Sequence, residues 1–132
     1  MTRLLLDTTF LIDTERNGDA LDDVIADDDD VAVAAITIAE LRVGALLAKG
    51  RRKAARIAYV EDVIVTIPVL AYNLEVAEAH ARLLAEVRSR GKPRGAHDLM
   101  IAATAKAFGR TVISADSTAF RDLPGVDARS HQ

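Results

Sequence analysis

The opening segment of the chain holds the feature that most restricts its fold. Three leucines at residues 4–6 are followed by Asp7, then by Thr8 and Thr9, and a second apolar run begins at Phe10. A short apolar run that stops at an acid and two hydroxyl residues is typical of a buried strand leading into a helix. In an open α/β sheet, ligands bind beyond the carboxyl ends of the strands. Asp7 is therefore predicted to lie at that edge.

Strand-like and helix-like segments alternate along the rest of the chain. Further short apolar runs predict strands at residues 31–35, 63–69, 111–114 and 126–129. Helical patterns predict helices at residues 9–16, 20–26, 37–49, from 51 onward, 73–90, 99–108 and 117–121. Pro68 favours an edge position or a strand end for its run. The alternation predicts an α/β fold in three layers, an open, mostly parallel sheet flanked by helices, as a single domain over residues 1–132.

Composition narrows the kinds of site that the chain can carry. It contains no cysteine, so disulfides and thiolate metal sites are excluded, and any metal must be held by oxygen or imidazole. The N-terminus lacks the apolar core of a signal peptide, and no apolar run approaches the roughly 18 residues of a membrane span. We therefore expect a cytoplasmic protein. A net charge of −3 argues against nonspecific coating of nucleic acid, although basic residues cluster locally.

Two of the predicted helices have a face that can be read from spacing. In the helix at residues 73–90 the apolar stripe is expected to comprise Leu74, Ala77, Ala81, Leu84 and Val87. In the helix at residues 37–49, Glu40 shares a face with Ile36, Val43 and Leu47. A carboxylate on an apolar face is costly unless something pairs with it, which makes Glu40 a candidate functional residue.

Four acids can meet at the carboxyl edge of the predicted sheet. Asp7 and Asp116 follow strands, while Glu40 and Asp98 lie early in helices that follow loops. Clustered carboxylates repel one another unless a divalent cation neutralises them, and an all-oxygen set favours Mg²⁺ or Mn²⁺.

Each acid also has a purely structural interpretation. Asp7, Asp98 and Asp116 could serve only as helix caps. Thr37 and Glu40 have the spacing of a capping box, in which the glutamate bonds back to the helix start. The four consecutive acids at residues 27–30 are interpreted as a solvated loop, because neighbouring side chains on an extended segment point in alternating directions.

Four motifs in order resemble those of PIN-domain ribonucleases. They are Leu-Leu-Leu-Asp7-Thr-Thr-Phe-Leu-Ile, Thr37-Ile-Ala-Glu40-Leu, His97-Asp98-Leu-Met-Ile-Ala-Ala-Thr-Ala, and Ser114-Ala-Asp116 followed by Phe120. The small size and the Thr-x-x-Glu-Leu form specifically resemble the VapC toxins of bacterial toxin–antitoxin pairs. The resemblance extends from Leu4 to about Val126 and is carried by the order and spacing of the motifs together.

The resemblance implies a function as well as a fold. It implies a metal-dependent endoribonuclease that hydrolyses RNA phosphodiester bonds, forms a homodimer and is held inactive by a small cognate antitoxin. The implied catalytic and metal-ligating residues are Asp7, Glu40, Asp98 and Asp116, which would hold one or two Mg²⁺ or Mn²⁺ ions, with Thr9 and Ser114 as supporting hydroxyls. One departure is Ala119, which stands where many relatives carry a further acid.

Two basic segments are candidates for binding the RNA backbone. One contains Arg51 and Arg52, with Lys53 and Arg56 beside them, and the other contains Arg88, Arg90, Lys92 and Arg94. Their structural alternative is ordinary solvated helix ends, where cations are favoured anyway. His97 adjoins Asp98 and is placed in a supporting position near the site, while His80 is interpreted as structural.

Three rival functions remain from the residues. A phosphoacceptor receiver domain also has an acidic Mg²⁺ cluster, but it needs a pair of acids at the end of the first strand. A haloacid-dehalogenase-type phosphatase needs Asp-x-Asp-x-Thr there, and Thr9 stands in the place of the second aspartate. The third rival is a PIN-like module that only binds RNA or protein, and the four acids argue against it.

Overall fold

The computed structural model describes residues 2–18 and 29–130. Its strands are β1 (Arg3–Leu6), β2 (Asp30–Ala34), β3 (Val69–Leu70), β4 (Thr111–Ser114) and β5 (Ala128–Ser130). Its helices are α1 (Thr8–Arg16), α2 (Ala35–Leu47), α3 (Gly50–Thr66), α4 (Leu74–Arg90) and α5 (Ala96–Phe108), with a 3-10 turn at Ser117–Phe120. The helix predicted at residues 20–26, part of the acidic run and His131 lie outside the described residues.

The described strands form one parallel sheet in the order β3-β2-β1-β4-β5. This confirms the predicted α/β class. In the pairing of β1 with β4, Leu6 lies opposite Ile113, and the Asp7 amide donates to the Ile113 carbonyl at 3.0 Å. The carboxyl ends of the two strands therefore lie side by side, and the residues that follow them share one edge of the sheet.

Helices cover both faces of the sheet. Successive strand residues point to opposite faces, and residues on both faces are buried. Leu5 lies in a core cluster with residues of α4 and α5, whereas Leu6 packs with residues of α1, α2 and α3. Within the described residues, no helix is both long and apolar enough to cross a membrane. The two clusters make the three layers that the alternation predicts.

The strand predicted at residues 63–69 is wrong for most of its length. Residues 63–66 end α3, and its buried Val63 faces the core while its carbonyl accepts the Ile67 amide at 2.9 Å. β-branched residues tolerate a helix when tertiary packing buries one of their faces, so propensity was overridden here. The edge position inferred from Pro68 is confirmed, since β3 is an outer strand.

Two predicted helix faces also differ from those observed. In α4 the buried residues are Val76, Ala79, Leu83 and Val87. Leu74, which was predicted on the buried face, is 75% exposed. The prediction failed because periodicity alone fixes the buried face poorly in an alanine-rich helix. In α2 the stripe read through Glu40 does not face the core, since Val43 is 54% and Leu47 is 76% exposed.

Candidate active site

Asp7 lies between β1 and α1 and is 2% exposed. Its Oδ1 accepts the Phe10 amide at 2.9 Å, so the residue does cap α1 as the structural interpretation predicts. Burial raises the pKa of Asp7 above its ordinary 3.8, and the charge of Glu40 adds to this. Hydrogen bonds to the carboxylate from Ser114, Phe10 and Thr9 act in the opposite direction. The carboxylate is thus both a cap and a poorly solvated charge.

The hydroxyls of Thr9 and Ser114 also bind the Asp7 carboxylate. Thr9 Oγ1 lies 2.9 Å and 3.0 Å from the two carboxylate oxygens, and Ser114 Oγ donates to Oδ2. The same hydroxyls bind the segment after β4, because Thr9 Oγ1 accepts the Ala115 amide and Ser114 Oγ accepts the Asp116 amide. These contacts connect the segment that carries Asp116 to the segment that carries Asp7.

Glu40 lies in the second turn of α2 and reaches toward α1 and α5. Thr8 Oγ1 donates to Glu40 Oε1 at 2.7 Å, and His97 Nδ1 lies 3.1 Å from Oε2. The capping-box interpretation is wrong, because α2 already begins at Ala35 and its cap residue, Ala34, has no side-chain bond. Glu40 is therefore held by side chains from two other helices.

Asp98 lies in the first turn of α5 beside Gly95. It does not cap the helix, since the cap position is Gly95 and no side-chain bond is formed there. Burial raises the pKa of Asp98 above 3.8, and so do the negative charges that surround it, those of Glu40, Asp7 and Asp116. His97 lowers it. An open depression at this point is lined by Gly95, Ala96, His97, Asp98 and Glu40.

Asp116 follows β4 and is exposed. Its Oδ1 accepts the Thr118 hydroxyl, and no side-chain cap bond to the 3-10 turn is formed. The turn behind it is held by Arg94, whose guanidinium donates to the carbonyls of Thr118, Ala119 and Arg121.

The four acids are close enough to act on one another electrostatically. Each of the other three raises the pKa of Asp98 by its charge. Within residues 2–18 and 29–130, however, no three Asp, Glu or His side chains are already spaced to share a metal ion. The four acids offer carboxylate oxygens, which are the donors that a hard divalent cation prefers. In the ion pairs of the described chain, no Lys or Arg pairs with any of the four, so no basic side chain offsets their mutual repulsion.

The basic candidates differ in how far they are already engaged. Arg51, Arg52, Arg88 and Lys92 are exposed. Arg90 pairs with Glu86 at 2.8 Å and also donates to the Asp122 carbonyl. Arg94 is committed to backbone carbonyls, as described above. His80 bonds to the Tyr72 hydroxyl at 2.7 Å.

Sequence reasoning missed Thr8 as a contributor to the site, and it predicted Arg94 as an RNA-binding residue rather than as a residue that holds the turn after Asp116. Thr8 is 7% exposed and bonds to a residue 32 positions away, and Arg94 bonds to a turn 24 to 27 positions away. The two threonines after Asp7 could have indicated a separate role for Thr8. Successive helical residues point in different directions, so Thr8 and Thr9 cannot both face Asp7. No local pattern marks Arg94 as a backbone ligand.

A sheet of this topology with acids from four segments at its carboxyl edge defines a class of protein, and comparison with known families identifies it. The PIN domain model matches residues 4–126. The chain therefore belongs to the PIN domain family, as its motifs predict.

Within this family the chain is similar to toxins and ribonucleases of bacterial toxin–antitoxin systems. It is 35% identical to Toxin FitB of Neisseria gonorrhoeae, over 89% of this chain and 90% of that protein. It is 37% identical to Ribonuclease VapC5 of Mycobacterium tuberculosis, over 92% and 88%. The solved structure of VapBC-5, a toxin–antitoxin system of that organism, matches with a TM-score of 0.80 and 30% identity, over 99% of this chain and 100% of that one.

Proposed function

We propose that this chain is a metal-dependent endoribonuclease toxin that hydrolyses RNA phosphodiester bonds and is held inactive by a cognate antitoxin. The carrying observation is the buried, hydrogen-bonded Asp7 at the carboxyl edge of the sheet, with the charges of Glu40 and Asp116 acting on Asp98 beside it. The names of the similar proteins, a ribonuclease and a toxin, support the same activity.

Asp7, Glu40, Asp98 and Asp116 would hold Mg²⁺ or Mn²⁺. Such an ion would lower the pKa of a bound water and offset the charge that develops on the phosphate. The residues of this chain supply the rest. Thr9 and Ser114 orient the Asp7 carboxylate, while Thr8 and His97 orient Glu40. Because these carboxylates are fixed before substrate arrives, little reorganisation is needed when charge develops.

The RNA backbone would be bound by the exposed basic residues rather than by those already engaged. Arg88 lies in the last turn of α4 and Lys92 on the loop that leads to α5, while Arg51 and Arg52 open α3. Arg90 is the exception, because it is engaged with Glu86 and the Asp122 carbonyl but is exposed and would add its remaining donors. Phosphate contacts of this kind give affinity that falls with salt and carry little sequence information.

The antitoxin would occupy a groove between α1, α2 and α3. The groove is lined by Ile12, Glu15, Arg16, Glu40, Leu41, Gly44, Arg56, Tyr59 and Val60. Glu40 belongs to both this groove and the acidic depression, so a segment in the groove can reach the acids. Beside it, Val43, Leu46 and Leu47 are more than half exposed on α2, which favours a protein partner or a second copy of this chain.

Cleavage of RNA tests the proposed activity. Purified protein is incubated with total RNA in Mg²⁺, in Mn²⁺ and in chelator, and the new 5′ ends are mapped. We expect defined cleavage that requires the cation and is abolished in Asp7→Asn, since asparagine is also a good helix cap and leaves α1 intact. Asp13→Asn, on the exposed side of the same helix, is the matched control. Full activity in chelator or in a folded Asp7→Asn protein rejects the proposal.

Growth and size measurements test the partners. Expression of the chain alone should arrest growth, and coexpression with a small neighbouring reading frame should relieve the arrest and yield a complex that lacks nuclease activity. Sedimentation of the purified chain should give twice the 14.2 kDa of one chain if it forms a homodimer. A monomer at all concentrations would reject that part alone.

A further inference from the structure

The side chain of Arg94 bridges the two segments that carry the last two acids of the site. Arg94 precedes Gly95, the cap residue of α5, and lies four residues before Asp98. Its Nη1 donates to the carbonyls of Thr118 at 3.3 Å and Ala119 at 3.2 Å, and its Nη2 donates to the carbonyl of Arg121. One guanidinium thus joins the start of α5 to the 3-10 turn that follows Asp116.

The turn that Arg94 holds is also the turn that fixes Asp116. The Ala119 amide donates to the Asp116 carbonyl, and the Thr118 hydroxyl donates to Asp116 Oδ1. At the end of the turn the Thr118 carbonyl accepts the Arg121 amide, and Arg94 supplies donors to that carbonyl and to those of Ala119 and Arg121. A displacement of the turn would therefore carry Asp116 with it.

Asp116 needs such an external support more than the other acids do. Asp7 is buried and Glu40 is held by two side chains, whereas Asp116 is exposed and, among the described residues, its carboxylate bonds only to the Thr118 hydroxyl. The 3-10 turn packs against α5, so the separation of the Asp116 and Asp98 carboxylates depends on how the turn lies on that helix. The charge of Asp116 also raises the pKa of Asp98.

We infer that Arg94 is a positioning residue that sets the separation of Asp116 and Asp98 by clamping the carbonyls of residues 118, 119 and 121, and is not a phosphate-binding residue. This inference rests on the proposed function, since it concerns how two proposed metal ligands are brought together. A planar fork with five donors suits three carbonyls, whereas an ammonium cannot reproduce that geometry.

The substitutions Arg94→Lys and Arg94→Met separate the clamp from a role in binding RNA. Arg88→Met is the contrasting variant, because Arg88 is exposed in the last turn of α4, its side chain forms no hydrogen bond or ion pair with any other described residue, and it is a proposed RNA contact. Mn²⁺ binding to the full chain without RNA is measured by electron paramagnetic resonance of the free ion. The kcat and KM are measured on an RNA that the wild type cleaves, at two salt concentrations. Circular dichroism verifies folding. If Arg94→Met does not fold, the results for Arg94→Lys decide between the clamp and RNA binding.

If Arg94 is a clamp, both Arg94 variants should bind Mn²⁺ about tenfold more weakly, the low end of the range for groups that orient metal ligands. The kcat should fall while the KM for RNA changes by less than about twofold, as expected when ground-state binding is intact. Arg88→Met, at a proposed RNA contact, should bind Mn²⁺ like the wild type but show a raised, salt-dependent KM for RNA.

A different result overturns the inference. Normal Mn²⁺ binding with a raised, salt-dependent KM in Arg94→Met, largely rescued by lysine, would assign Arg94 to the RNA backbone instead. Normal Mn²⁺ binding with unchanged kinetics would also reject the clamp. A wild-type protein that neither binds Mn²⁺ nor cleaves RNA would reject the proposed function itself, and the inference with it. The wild-type measurement alone distinguishes this outcome from a failure of the clamp.

Discussion

Single residues in this site carry two tasks at once, and Asp7 is the clearest case. Its carboxylate caps α1 through the Phe10 amide and accepts bonds from Thr9 and Ser114. Both the structural and the functional interpretation of this residue therefore apply. The same bonds that stabilise the helix start also hold the charged carboxylate in place, although burial opposes its ionisation.

The stability of the metal-free protein should depend on the ionisation of Asp98. Burial raises the pKa of Asp98 above 3.8, so over the interval above 3.8 the folded state keeps a proton that the unfolded state has lost. Stability contributed by this group is present below 3.8 and is lost as the pH rises through the folded-state pKa. We predict that the Tm of the wild type, relative to Asp98→Asn, declines as the pH rises across that interval in chelator.

Thermal unfolding at a series of pH values measures this difference. Asp13→Asn serves as the control, because its carboxylate is exposed on α1, and its Tm should follow that of the wild type. Parallel curves for wild type and Asp98→Asn would contradict the assignment of a poorly solvated charge to Asp98.

Thr8 offers a second test at the residue scale. Its hydroxyl donates to Glu40 Oε1 at 2.7 Å, and valine has the same shape without the donor. We predict that Thr8→Val lowers the free energy of unfolding by about 1.5–3 kcal/mol, typical of a lost bond to a charged group, and lowers kcat by about tenfold or more. Denaturant unfolding and initial cleavage rates measure the two effects.

Thr66→Val is the comparison for this change. The Thr66 hydroxyl also bonds to a carboxylate, that of Asp62, but at 3.3 Å on the exposed side of α3. An exposed pair of this kind contributes little, so both quantities should remain near the wild-type values. Equal effects of the two substitutions would mean that Glu40 does not depend on Thr8.

At the scale of elements, the start of α5 has to bring its backbone close to Asp98. A Cβ added at Gly95 would lie 3.0 Å from Asp98 Oδ2, which is the movable end of a side chain. The backbone of Gly95, at φ −58° and ψ 136°, is one that alanine also adopts. Alanine at this position should therefore displace the carboxylate without straining the helix start.

We predict that Gly95→Ala reduces cleavage while leaving the Tm unchanged or slightly higher. Replacing glycine where the backbone permits it stabilises by about 0.4–1 kcal/mol through the unfolded state. Gly44→Ala is the matched control inside α2, where the added Cβ meets only Arg56 Nη1 at 4.0 Å, and it should raise stability with full activity. Retained activity in Gly95→Ala would show that Asp98 tolerates the displacement.

The elements that the sequence predicts well are those with strong local signals at both ends. Asn73 caps α4 through the Val76 amide and Gly91 ends it at φ 66°, and both were readable as boundary residues. Residues 63–66 carried a strand-like composition, yet the burial of Val63 in α3 decided their state. Tertiary packing of this kind leaves no mark on a short window of sequence.

The candidate site divides in the same way. The positions of Asp7 and Asp116 follow from strand ends, which a local pattern reveals. The contacts from Thr8 to Glu40 and from Arg94 to the turn span 24 to 32 residues, so they depend on how α1, α2 and α5 pack together. Only the folded chain determines them.

At the scale of the whole molecule, the acids come from segments that are distant in the chain. The segment after β1, α2, α5 and the segment after β4 each supply one carboxylate, and folding alone brings them to one edge of the sheet. Folding therefore concentrates negative charge that the unfolded chain keeps apart. Any ion that neutralises this charge binds the folded state in preference to the unfolded one.

Divalent cation should accordingly stabilise the protein against unfolding. Binding to the folded state alone adds about 2.7 kcal/mol at a free concentration one hundred times the dissociation constant, which raises the Tm by several degrees in a domain of this size. The Tm is followed by circular dichroism as Mn²⁺ is added, against K⁺ at matched ionic strength to remove simple screening. Asp13→Asn should respond as the wild type does, whereas Asp7→Asn and Asp98→Asn should respond weakly. An equal rise in all four proteins would mean that the cation binds elsewhere, and no rise in the wild type would mean that these carboxylates do not form its site.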